Sequence, residues 1–413
     1  MSHVLILGPA SSGDLLVTYA KKVGHHVTVA LMPSRKGKPA LTEKLADDVL
    51  RVDLLDHDAL SGAVHRLHGQ RPVHAVVPGF EYFVPAAALL SARLGLPGLL
   101  VEAADRLRQK HLMRDTLGRA GVRSARHSLV QTGRPDWRSA VEAAVGAVSL
   151  PCVVKPVDLG GSVMVRLART VAEAVAAVGE IANAGPDAFG LIPRPLALIE
   201  EFITGPEYSV EGHISPDGPS IVSITRKLLG DEPYFVERGH VVETLHDTAL
   251  GTSVRAYIEE VIEALGLTTG VFHGEVRMTA EGPVLMEIGA RLPGDHICEL
   301  IQLAHGVDLA AVFVNAMLGK GTAAYTPDAE STRAAGIRFL LRPGLADYTA
   351  VTGFDEARAL DGYVDSALSY APGQPIPQAA DFSGRLGWFI FTAPDALALE
   401  AALDKADQLV GFA

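Results

Sequence analysis

The sequence predicts an α/β and α+β multidomain protein, and three features of its 413 residues predict it. Up to about Val101, short apolar runs alternate with helical patterns. From Pro151 to about His246, apolar segments follow one another with a single helical stretch among them. Beyond about Gly319, a short tail offers strands and a closing helix. Alternation of strand and helix implies a parallel sheet covered by helices, because parallel neighbours need a crossover. Strands in direct succession imply antiparallel pairing.

The elements follow in order. His3–Leu7 reads as a buried strand, then a Gly-containing loop spans Gly8 to Gly13, and a helical pattern runs to about Lys22, where Gly24 ends it. His26–Leu31 and 74–78 are further strands, and an Ala/Leu-rich helix covers about 83–94. Helices at about 105–120 and 136–148 flank a strand at 126–130. The β-rich stretch holds strands at 151–157, 163–167, 197–203, 208–214, 220–228 and 240–246, with one helix at about 171–184. A helix at 253–265 leads to strands 270–278 and 284–288 and then to a helical run over 297–318. The tail opens with a loop rich in small residues at 320–331 and continues with strands at 336–341 and 386–392. Its closing helix covers 394–409, with Pro394 at the first position, where no amide hydrogen is needed.

Composition narrows the function. Lys and Arg total 36 against 48 Asp and Glu, a formal charge of -12. That balance argues against nucleic acid as a partner, because phosphate backbones are held by clustered cations. Hydrophobic residues make up 48% and charged residues 20%, enough apolar matter for large cores. The two cysteines, Cys152 and Cys298, sit in apolar surroundings and read as small core residues. No apolar run is long enough for a membrane span. The start, MSHVLILGPASSGD, reads as a first strand rather than a signal peptide, so the expected location is cytoplasmic.

Three constellations can carry chemistry. In Val153-Val154-Lys155-Pro156, followed by Gly160-Gly161-Ser162, a lysine interrupts an apolar strand that ends in a loop of small residues. Burying an ammonium is costly unless an anion pairs with it, and such a loop can expose backbone N–H groups to phosphate. A hairpin with an edge lysine is the alternative. The second runs Leu198-Ile199-Glu200-Glu201-Phe202-Ile203-Thr204-Gly205-Pro206-Glu207. Its carboxylates can accept hydrogen bonds from an adenine amino group or ribose hydroxyls, or can simply be solvated. The third is His273-Gly274-Glu275-Val276-Arg277-Met278, then Val284-Leu285-Met286-Glu287-Ile288-Gly289-Ala290-Arg291. A hairpin with Gly282 at the positive-φ position of a three-residue loop, pairing Thr279 with Pro283, sets Glu275 opposite Glu287. Two facing carboxylates repel unless they share a proton or bind a cation, and hard oxygen ligands favour Mg²⁺. A zinc set of His273, Glu275, His296 and Cys298 lacks a structural zinc spacing. The Gly8 to Gly13 loop lacks the G-x-G-x-x-G spacing of a dinucleotide site.

Taken together and in this order, these segments resemble the ATP-grasp superfamily over nearly the whole chain, and most closely its carboxylate–amine ligases that form dipeptides. Lys110 before Ala120-Gly121-Val122 adds to the likeness. The resemblance implies a pre-ATP-grasp, Rossmann-like domain at 1–101 and an ATP-grasp small subdomain at 102–196. A large subdomain at 197–325 and a C-terminal α/β cap at 326–413 follow. It also implies roles. Lys110 and Lys155 touch ATP phosphates, and Gly160, Gly161 and Ser162 form the mobile loop above them. Glu200 lies by the adenine amino group, Glu201, Phe202 and Ile203 form the hinge, and Glu207 holds the ribose. Glu275 and Glu287 hold Mg²⁺, for which Mn²⁺ can substitute, and Arg291 stabilises the acyl phosphate. Many members have Asn where Gly289 stands, which bears on a second metal ion.

The implied activity is ATP-dependent amide formation between a small-molecule carboxylate and an amine, amino acids above all. A purine-pathway or carboxylase-type enzyme acting on formate, bicarbonate or a ribonucleotide amine is the alternative, with Arg35, Lys36 and Lys38 as its basic cluster. An inactive ATP-binding scaffold is a third reading. Candidate substrate contacts are Glu81, Asp295 and Arg338, and the stretches 158–162 and 227–238 are candidate lids. No residue stands out as the base for the amine. Family members are often dimers, which makes a homodimer an expectation without an interface signature in this sequence.

Overall fold

The computed structural model describes the whole chain except residues 34–40, 188–189, 231–233, 246–247, 324 and 326–332. The basic cluster Arg35, Lys36 and Lys38 therefore lies outside the described residues, as does much of the 320–331 loop. The first sheet is parallel and four-stranded: β1 (His3–Leu7), β2 (His26–Leu31), β3 (Asp48–Arg51) and β4 (Ala75–Pro78), in the order β3-β2-β1-β4. Its apolar strands are covered by helices, as the alternation implies. The helix His57–Gln70 between β3 and β4 and the short β3 were not legible beforehand.

The second sheet comprises β5 (His127–Gln131), β6 (Cys152–Pro156), β7 (Arg166–Ala168) and β8 (Leu196–Glu201), in the order β5-β8-β6-β7. With helices Trp137–Val148 and Val171–Ala182 it encloses its own core of Val141, Val145, Val154, Ile181 and Ile199. The expected boundary at 196/197 falls inside β8, whose partners β5 and β6 both belong to this sheet.

The third sheet begins with β9 (Glu207–Ser215), β10 (Gly218–Leu229), β11 (Glu237–Val242), β12 (Val271–Thr279) and β13 (Gly282–Gly289). The tail supplies β14 (Ala334–Leu340), β15 (Val351–Thr352), β16 (Tyr363–Leu368), β17 (Gly387–Ala393) and β18 (Gly411–Phe412). The sheet has eight strands, ordered β13-β12-β9-β10-β11-β14-β17-β16, while β15 pairs with β18. The strands of the C-terminal cap thus extend the central sheet. β14 docks on β11 from Gly239↔Arg338 to Val242↔Ala335. Without it, β11 would leave a row of unpaired backbone groups beside the buried Val241 and Val242.

Two helices expected as continuous are broken. The stretch 105–120 divides into Val101–Arg108 and Lys110–Ala120, with Gln109 extended at φ -110° and ψ 110°. The Lys110 amide donates across to the Val157 carbonyl at 2.9 Å instead of continuing a helical ladder. The stretch 297–318 divides into Ile297–His305 and Leu309–Met317, bent by 105°, with Gly306 at φ 71° ending the first and Asp308 capping the second. The bent pair shares a core with the first sheet, where Val4, Ile6, Leu300, Phe313 and Ile337 meet. The closing helix is Ala396–Leu409, and Asp395 caps it by accepting from the Ala398 amide at 2.8 Å, so Pro394 precedes the cap. Both cysteines are buried. Among the described residues, no single helix is long and apolar enough to cross a membrane.

Candidate active site

A cavity of about 510 Å³ opens between the second and third sheets and reaches the loops after β1 and β4. Every site residue expected above, except Arg338, lines it. Lys155 enters from β6, where its ammonium pairs with Glu200 of β8. The other Glu200 oxygen accepts from Arg114 Nε at 2.6 Å. Burial alone would raise the Glu200 carboxyl, but Arg114 and Lys155 outweigh it and hold the group at about 2. Burial lowers the Lys155 ammonium, and Glu200 recovers part of that loss. Its carboxylate is thus paired with two cations, as is that of Glu207, which Lys227 and Arg277 reach. Arg114, absent from the expected set, carries no motif; only its place one turn beyond Lys110 hinted at it.

This buried triad makes stability depend on pH. A carboxyl held below its unfolded value contributes fully above about pH 4.5 and loses that contribution as pH falls toward 2. The contribution is on the order of 3 kcal/mol. Denaturant midpoints measured between pH 6 and 3 are expected to fall more steeply in wild type than in a Glu200→Gln variant, which is less stable at neutral pH. Parallel slopes in the two proteins would remove this account.

The β12–β13 hairpin sets the acidic end. Glu275 faces Glu287, as the sequence requires, but by another route. The turn is tighter than expected: Thr279 pairs with Gly282, at φ 112°, and Met278 pairs with Pro283. A bulge between Glu275 and Val276 then restores the register by one residue. Lys227 of β10 reaches Glu275 and Glu207, both at 2.7 Å, and Lys110 reaches Glu287 at 2.7 Å. Burial would raise both hairpin acids, yet Lys227 keeps Glu275 well below the usual carboxylate range and Lys110 lowers Glu287. Two hard, anionic ligands facing one cavity, each already drawing a cation, suit Mg²⁺ completed by nucleotide phosphate. Among the described residues, no group of three or more His, Cys, Asp or Glu is arranged to hold a metal by itself. The zinc set does not assemble: His273 bonds Glu211 at 2.8 Å, and His296 bonds Glu299 at 3.2 Å. Lys227 was read only as part of a lid. It is anchored in β10 by three carboxylates, and residues 231–233 of that stretch lie outside the described ones.

At the hinge, Glu201 pairs with Arg126 at 2.8 Å, and the Ile203 carbonyl accepts from Arg277 Nη1 at 2.6 Å. Arg277 also bonds Glu207 at 2.9 Å and lies over the Phe202 and Phe235 rings, forming a flat wall. The loop above carries positive φ at Gly161, Ser162 and Met164. Lys110 Nζ donates to the Leu159 carbonyl at 2.7 Å, and a Cβ on Gly161 would meet the Phe382 ring of the tail at 3.4 Å.

Arg291 pairs with Glu81, which is buried at 6% exposure. Gly289 explains how they meet. A Cβ there would lie 2.7 Å from Glu81 Oε2, so the acid occupies the space that a larger residue at 289 would need. Asp295 accepts from Arg385 at 2.8 Å and lies 3.2 Å from His240 Nε2. Arg338 departs from its expected role. It pairs with Asp404 on the closing helix and does not line the cavity. Strand alternation decides this: Arg338 shares its face with Gly336, whose Cβ position meets Leu399 and Leu403 of that helix. Arg385, just before β17, is the tail arginine at the cavity, and no motif marks it.

The fold and this set of groups define the class. Residues 148–299 match the family model of the ATP-grasp domain, and residues 17–98 match the ATP-grasp N-terminal domain. Residues 338–413 match the L-amino acid ligase C-terminal domain 2. The chain belongs to the ATP-grasp superfamily. Within it, the chain is an enzyme of the carboxylate–amine ligase type. Dapdiamide A synthase of Enterobacter agglomerans is 26% identical over 400 residues, 94% of this chain and 91% of that protein. Alanine–anticapsin ligase of Bacillus subtilis (strain 168) is 29% identical over 265 residues, 59% of this chain and 53% of that protein. The crystal structure of an L-amino acid ligase from Bacillus licheniformis shares the fold with a TM-score of 0.83 at 19% identity, covering 100% of this chain and 98% of that one.

Proposed function

We propose that this ligase activates an amino-acid carboxylate with ATP and joins it to the amine of a second amino acid, releasing ADP and phosphate. The observation that carries this is one cavity holding Lys110, Lys155, the Glu275–Glu287 pair and Arg291, closed on one side by a tail that matches L-amino acid ligases. A carboxylate is a poor acyl donor because oxide is a poor leaving group. The substrate carboxylate oxygen attacks the γ-phosphorus, the bond to the ADP oxygen breaks, and an acyl phosphate forms. The amine then attacks the acyl carbon and phosphate leaves. Mg²⁺, held by Glu275 and Glu287 with the nucleotide, supplies charge neutralisation on the phosphates. Lys155 and Lys110 bind phosphate oxygens, and Arg291 stabilises the developing oxyanion. Phe202, Ile203 and Glu201 flank the adenine, and Glu207 takes the ribose. The loop at Gly160, Gly161 and Ser162 excludes water, which would hydrolyse the acyl phosphate. Glu81 holds Arg291 in place rather than meeting the substrate. A homodimer and a cytoplasmic location belong to the same proposal.

The test is phosphate release from ATP and Mg²⁺ across a matrix of paired amino acids, with mass detection of products. Single amino acids, formate, bicarbonate and a ribonucleotide amine run alongside. Release with certain pairs, and a product lighter by one water than their sum, is the expected result. Release with a one-carbon acid or the ribonucleotide alone overturns it.

A further inference from the structure

Arg385 stands apart from the other cations of the cavity. Among the described residues, six Lys or Arg side chains line it: Lys110, Lys155, Lys227, Arg277, Arg291 and Arg385. The first five pair with Glu287, Glu200, Glu275, Glu207 and Glu81, all on the nucleotide and phosphoryl side of the reading above. Arg385 comes from the tail. Its Nη1 donates to Asp295 at 2.8 Å and its Nη2 to Glu237 at 2.9 Å, while the guanidinium stacks on Phe339 at 3.8 Å. Its Nε–H has no acceptor, although the residue is only 7% exposed. A buried donor left without an acceptor is costly in a fold that otherwise pairs its charges.

Arg385 also lies where two cavities meet. A second cavity of about 420 Å³ shares Ser11, Ser12, Asp295, Phe382 and Arg385 with the first. Its far walls include Trp388, whose ring lies tilted against His296 with centroids 4.3 Å apart, with Phe339 and Leu15. Both acids on Arg385 have other partners. Asp295 is shared with His240 at 3.2 Å, and Glu237 lies 3.5 Å from Lys227. The guanidinium can therefore turn an edge to a new anion without stranding either acid.

We propose that Arg385 anchors the free α-carboxylate of the amine substrate. The side chain of that amino acid then lies in the second cavity and its nitrogen is directed to the Arg291 side. A planar guanidinium edge with parallel N–H groups matches a carboxylate, which a carboxamide or a bare amine does not reproduce. The proposal rests on the ligase reading above and assigns the residue that holds the second amino acid.

The experiment compares kcat/KM of the wild-type enzyme for three amine donors at a fixed acid substrate, ATP and Mg²⁺. They are the productive amino acid, its α-carboxamide and the corresponding decarboxylated primary amine, with the amide product measured by mass. The free amino acid is expected to exceed the other two by roughly 10- to 100-fold, the range of one charge-assisted contact. In Arg385→Gln the three donors are expected to fall within about threefold of one another, with the KM for ATP unchanged. Equal wild-type rates for acid and carboxamide overturn the proposal, as does a variant that keeps the discrimination. If the variant does not fold, the wild-type comparison decides alone. Failure of the ligase reading is distinct: no amide product then forms with any of the three donors.

Discussion

Arg291→Ala is expected to lower kcat/KM by about 100- to 1,000-fold, the cost of removing one donor from a developing oxyanion. The loss should appear in kcat with little change in the KM for ATP, because the contact strengthens only as charge develops. The structure adds a complication that the sequence does not suggest. Arg291 is the partner of the buried Glu81, so alanine leaves a carboxylate without its cation. Breaking one half of a buried pair costs about 3–5 kcal/mol of stability. The double variant Arg291→Ala/Glu81→Gln separates the two effects. Its thermal midpoint should recover toward wild type while its activity stays low. Wild-type turnover in the single variant removes Arg291 from the mechanism. Recovery of activity in the double variant would mean that the loss came from the stranded acid.

Glu287→Gln is expected to cost at least about 100-fold in kcat/KM and to raise the Mg²⁺ concentration needed for half-maximal rate at least about tenfold. An amide keeps the size of the carboxylate and one oxygen but loses the charge. It also frees Lys110 from its 2.7 Å partner, so nucleotide affinity measured without metal should hold or rise while metal-dependent turnover falls. A readout independent of turnover is Mn²⁺ binding by the enzyme–ADP complex, followed by electron paramagnetic resonance. The variant should bind Mn²⁺ more weakly than wild type. Unchanged Mn²⁺ binding together with an unchanged Mg²⁺ requirement would show that the hairpin acids serve only their lysines.

Much of this was legible because it is local. Hydrophobic alternation marked Glu275 and Glu287 as acids on apolar strands, and cross-strand pairing set them face to face. The pairing survived an error in the assumed turn, since the bulge between Glu275 and Val276 compensates for a tighter loop. Lys155 stood out for the same reason, as a cation in an apolar strand. Long-range partners were not legible. Arg114 and Glu200 are 86 residues apart, and Arg291 and Glu81 are 210 apart. Arg338 and Arg385 look alike as arginines near apolar strands. Strand parity sends Arg338 to the closing helix, while Arg385 reaches the cavity from the turn before β17.

The sequence by itself determined the class of fold, the order of the constellations and the chemical types at the site. Those depend on period, spacing and residue chemistry, which are written along the chain. The tertiary structure decided what each charge is paired with. It joined the tail to the central sheet through β11 and β14. It opened room for Glu81 at Gly289 and brought Arg385 between two cavities. Burial makes an unpaired charge expensive, so each charge must find its counterpart in space, and the sequence records which charges exist but not which of them meet.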